Sequence, residues 1–146
     1  MKHMKKSYVQ SAAAAALIVF APVAYGVATA VAAEQATTIP ATAAEIWKAI
    51  DMHMMELHAD IKKSALNKVH EHAFAVRDLV RALPTHSPGL SADAIAKVNG
   101  QIKFVDTLAE RLDQTGDAND KAGTEANTVK LETSLKSIRA NYPADK

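Results

Sequence analysis

From residue 42 onward, apolar side chains recur at alternating intervals of four and three, the spacing of helices that each carry one greasy stripe. Ile46, Ile50, His53, Leu57 and Asp60/Ile61 make the first seam. Thr42 and Glu45 have capping-box spacing just after Pro40, so a helix is predicted over about 42–62. Lys62-Lys63-Ser64 is polar and is read as the turn into a second seam of Ala65, Val69, His72, Val76, Leu79 and Leu83. The segment LPTHSPG ends that helix with two prolines and a glycine.

Ser91 is read as the N-cap of a third helix whose seam is Ile95, Val98, Ile102, Val105, Ala109 and Leu112. Asn99-Gly100 falls inside it, but no strand-like alternation flanks the pair, so the helix is expected to tolerate the glycine. In the connection DQTGDAND, Gly116 is the expected C-cap, and Asp117 or Asn119 the expected start of a fourth helix. Its seam is Lys121, Thr124, Thr128, Leu131, Leu135, Ile138 and Tyr142, polar in the first half and apolar in the second. Four helices with short connections predict an all-α domain over 42–146, an up-down-up-down antiparallel four-helix bundle.

The N-terminal segment is of another kind. Residues 1–32 begin with three lysines, continue as an uncharged Ala-rich run and end in Ala30-Val31-Ala32, a small-residue cleavage signal. This is the pattern of a cleavable signal peptide, and residues 33–41 are read as a linker. The rival reading is an uncleaved anchor, which Pro22, Gly26 and the cleavage motif disfavour. The expected location is therefore periplasmic or secreted, with no membrane contact once the signal is removed.

Export changes how the remaining chemistry is read. Without the three lysines of the signal, the balance of 17 basic and 16 acidic residues becomes 14 against 16, a formal charge of −2. That balance offers no footprint for nucleic acid. The absence of cysteine excludes disulfides, thiolate metal sites and a CxxCH haem attachment. No nucleophile–base constellation, phosphate loop or acid pair points to catalysis, so no enzyme is expected.

What remains is a concentration of soft and imidazole ligands. The stretch MHMMELH, residues 52–58, gathers Met52, His53, Met54, Met55 and His58, and VHEHAF on the second helix carries His70 and His72. Folding the first helix onto the second about Lys62-Lys63 brings position 53 level with position 72, both histidines at seam positions. Met54, Met55 and His58 share a flank with Trp47 and Asp51, whereas Glu56 and Asp60 lie on the flank of His53. Imidazole suits zinc and copper, and thioether without thiolate favours Cu(I). The expectation is an exported protein that holds or senses copper or zinc through His53 and His72, with His58, His70 and Met54 as further candidate ligands. Two other readings stand beside it: a metal-free helical adaptor or chaperone with a protein partner, and a b-type haem bundle with His53 and His72 as axial ligands. Oligomeric state is not legible from these patterns.

Overall fold

A computed structural model of the chain describes residues 36–142, and within them it is all-helical, with four α-helices and no strand. The export signal read over residues 1–32, the first residues of the linker and the tail 143–146 lie outside the described residues. Among those described, no helix is long and apolar enough to cross a membrane.

The first helix, α1, runs Ala43–Lys62 and opens on the expected capping box. The Glu45 amide donates to Thr42 Oγ1 at 3.2 Å, and the Thr42 amide donates back to Glu45 Oε2 at 3.2 Å. It ends in a Schellman motif: Ser64 N–H donates to the Ile61 carbonyl and Ala65 N–H to that of Asp60. The residue at the left-handed position of this motif is Ser64, with φ 58°, where glycine is the usual choice. A short 3-10 turn, Leu66–Lys68, then leads into α2, Val69–Ala82, so the second helix begins four residues later than its seam predicts.

After the 3-10 turn Leu83–His86, Ser91 caps α3 by accepting from the Ala94 amide at 3.2 Å. This helix spans Ala92–Asp117, straight through Gly100. Gly116 is not its cap. It is buried inside the last turn, and a second Schellman motif falls at Asn119, φ 53°, with Asn119 N–H donating to Gly116 and Asp120 N–H to Thr115. Asp120, rather than Asp117 or Asn119, caps α4 (Lys121–Arg139), its Oδ1 accepting from the Gly123 amide at 3.0 Å. Gly116 instead makes room for a neighbouring backbone. A Cβ there would lie 2.7 Å from the Leu66 carbonyl oxygen, so only glycine admits the α1–α2 connection this close to α3.

Each helix packs on the next in sequence, and α1 also meets α4. The core is one cluster to which all four contribute, including Ile46, Leu57, Val76, Leu79, Val105, Leu112, Leu131 and Ile138. Its stripe departs from the expected seams at two informative places. On α1 the side chain turned inward is Met54 rather than His53, and on α2 it is Ala73 rather than His72. The rest of each stripe stays as expected, with Ile46, Ile50 and Leu57 on α1 and Val69, Val76 and Leu79 on α2. The one-residue shift at this level keeps both imidazoles out of an apolar interior, where an unpaired polar group is costly. On α4, Lys121 is exposed rather than in the seam, whereas Thr124 and Thr128 are buried as expected. Those two hydroxyls donate to carbonyls four residues back, Asp120 and Thr124, so the polar half of the helix satisfies itself.

Candidate metal centre

This local shift leaves His53 and His72 facing each other across the edge of the α1–α2 interface, their side chains 22% and 16% exposed. Their ring centroids are 5.6 Å apart and the planes tilt by 40°. Each presents Nδ1 to the other, at 3.3 Å. The register expected from folding at the Lys62-Lys63 turn is thus the one observed, at the rim of the interface rather than in its core.

Two carboxylates that were not among the expected ligands complete the cluster. Glu56, one turn beyond His53 on α1, places Oε2 3.6 Å from His53 Nδ1 and 3.3 Å from His72 Nδ1. Asp60, one turn further, places Oδ2 3.3 Å from His72 Nε2. Position 53 with 56 and 60 is the i, i+3, i+7 spacing of one helix face, so a local signal for both existed in the sequence.

The arrangement has a defined chemistry. Asp60 stands at ion-pair distance from His72 Nε2, on the side of the ring away from the Nδ1 that faces His53 and Glu56. Nδ1 of each histidine and Oε2 of Glu56 form a nearly equilateral triangle. A point equidistant from the three lies about 2.0 Å from each, the length of a zinc–nitrogen or zinc–oxygen bond. Burial, and then the neighbouring His72, hold the His53 imidazole below its usual pKa, with the Glu56 carboxylate opposing them. The balance favours neutral imidazole, the form that coordinates a metal.

The other candidate ligands go elsewhere. His58 Nε2 bonds to Glu132 Oε1 of α4 at 2.6 Å, on an exposed surface. Met54 belongs to the core and borders a shallow cleft with Glu132 and Leu135 of α4. Met52 and Met55 are exposed. His70 joins a separate group with Asp113 and Asp117 of α3, each offering a ligand atom within 4.8 Å of the others. Those aspartates stand more than forty residues away in the chain, and only the packing of α2 on α3 reveals the group. Trp47 is engaged too: the Arg139 guanidinium lies 4.3 Å from its ring centroid, and Tyr142 packs edge-on against it at 5.5 Å.

Comparison of the chain with protein-family models, with curated proteins and with solved structures gives no match. Function is therefore read from the site's own chemistry.

Proposed function

We propose that the chain is an exported four-helix-bundle protein that holds or senses a divalent transition-metal ion, zinc or copper, through His53, Glu56 and His72. The observation that carries this reading is the convergence of three ligand atoms at metal-bonding distance from one point, with the Asp60 carboxylate 3.3 Å from the far nitrogen of His72. Because Met54 stays in the core, nitrogen and oxygen donors make the site, which suits Zn(II) and Cu(II) better than Cu(I). The antiparallel up-down-up-down arrangement has support in the α1–α4 pairings: Asp51 meets Arg139 and His58 meets Glu132, rising numbers against falling ones. Export rests on the signal pattern of residues 1–32.

A bis-histidine haem fits the pair less well, since nitrogens on opposite sides of one iron stand about 4 Å apart, twice a metal–nitrogen bond. The adaptor reading has one observation in its favour. The two rings are hydrogen-bonded to each other through Nδ1, with Glu56 and Asp60 at ion-pair distance, so the pair has partners without an ion. Isothermal titration of the chelator-treated protein with Zn(II) and Cu(II), together with elemental analysis and intact mass of exported material, tests the proposal. Stoichiometric metal lost in His72→Ala, on a chain beginning at Ala33, is the expected result. No binding by the wild type gives the lead to the adaptor.

A further inference from the structure

A second feature of the molecule lies at the start of α1 and is independent of the histidine pair. A cleft of about 730 Å³ opens between the first turns of α1, the loop before α3 and the end of α4. Trp47, Leu90 and Tyr142 make its apolar walls, and Lys48, Lys136 and Arg139 its cationic rim. Its volume falls in the range of about 300–1,000 Å³ typical of sites for small organic ligands, and such sites are mostly apolar with a few placed polar groups.

The charges at the rim do not cancel. Arg139 is bound to Asp51 at 2.7 Å, whereas Lys48 and Lys136 form no ion pair among the described residues. Trp47 lends the wall only a small exposed edge. The residue is 9% exposed, and its indole N–H is buried with no acceptor among the described residues. Unmatched cations beside an apolar wall call for a ligand with anionic oxygen at one end and hydrocarbon behind it.

We infer that this cleft binds a small amphipathic organic anion, a monocarboxylate with an apolar body, its carboxylate held by Lys48 and Lys136 and its hydrocarbon against Trp47 and Tyr142. The site shares no residue with His53, Glu56, His72 or Asp60, so it stands or falls apart from the metal reading.

Trp47 is the chain's one tryptophan, so its emission reports on the cleft directly. The full chain, with its signal removed on export, would be titrated with decanoate below its micellar concentration and with decyltrimethylammonium, which keeps the chain length and reverses the charge. A saturable change in Trp47 emission with decanoate, at least tenfold weaker or absent with the cation, is expected. The double variant Lys48→Gln/Lys136→Gln, whose fold is checked by circular dichroism, should weaken decanoate at least tenfold. His72→Ala should bind it as the wild type does. The inference is overturned if decanoate gives no saturable change, if the cation binds equally well, or if the double variant is unaffected. Loss of decanoate binding in His72→Ala with the fold intact would overturn the independence of the two sites.

Discussion

The Leu66 carbonyl oxygen occupies the space that a side chain on Gly116 would need, 2.7 Å from where its Cβ would stand. This contact seats the α1–α2 connection against the last turn of α3. Gly116→Ala forces the turn or the helix to shift and should destabilise the fold by about 1–3 kcal/mol. Gly100, also inside α3, has nothing within 4 Å of its Cβ position. Gly100→Ala should therefore stabilise by about 0.5–1 kcal/mol through helix propensity alone. Urea midpoints of the two variants measured side by side check the pair, and opposite signs are the expected outcome.

His53→Ala and His72→Ala should each remove most Zn(II) affinity, and Glu56→Gln should weaken it by at least tenfold. Asp60→Asn should cost about 10–100-fold, the usual effect of losing a carboxylate behind a ligating histidine. Met54→Leu, His58→Ala and His86→Ala should leave affinity unchanged, because none of these side chains reaches the pair. At a hundredfold excess over its dissociation constant, the metal should raise stability by about 2.7 kcal/mol in the wild type and in these three variants. Calorimetric titration and thermal melts supply the two readouts.

The metal-free protein should lose stability as the pH falls through the histidine range. His53 is held below its ordinary 6.5 by burial first and by His72 second, so the unfolded chain takes up this proton at a higher pH than the folded one. Between the two values the unfolded state binds more protons, and stability rises with pH. The penalty is complete below the folded-state value and gone above about 6.5. Urea midpoints in chelator at pH 7.5 and 5.5 should differ, and His53→Gln should reduce the difference. A wild type with the same midpoint at both values would show that His53 titrates normally.

Ser64 holds a left-handed backbone, φ 58°, to close the first Schellman motif. Relieving that conformation with Ser64→Gly should stabilise the protein by about 1 kcal/mol, since only glycine visits this region without a steric penalty. Thermal melts check it. Zn(II) affinity should be unchanged, because the serine hydroxyl contacts Lys121 and not the cluster.

How much of the fold is legible in the sequence follows the range of each interaction. Thr42 with Glu45, and Ser91 with Ala94, are contacts three residues apart, and they start α1 and α3 where the capping pattern places them. The second and fourth helix starts are less legible, because Ser64 and Asn119 stand in for the glycine that normally marks a left-handed cap. Gly116 mimics such a cap in the sequence, although its reason for being glycine is a contact with Leu66, fifty residues away. Of the candidate site, the pairing of positions 53 and 72 follows from register about one turn. Glu56 and Asp60 share that helix face, so their nearness to His53 is legible too, but their reach to His72 depends on how α2 packs.

The sequence by itself determined the all-helical class, two of the helix caps and the level at which the two histidines meet, since periodicity, capping and a short turn are local or nearly so. Tertiary structure decided which residue of each stripe turns inward at that level. A shift of one residue there puts Met54 and Ala73 in the core and His53 and His72 at its rim, beside Glu56 and Asp60. It also parted His58 toward Glu132 and His70 toward Asp113 and Asp117. The physical reason is that a heptad seam defines a face only to within about a residue. The cost of burying an imidazole, set against the gain from placing it beside carboxylates on neighbouring turns and helices, selects which residue turns in.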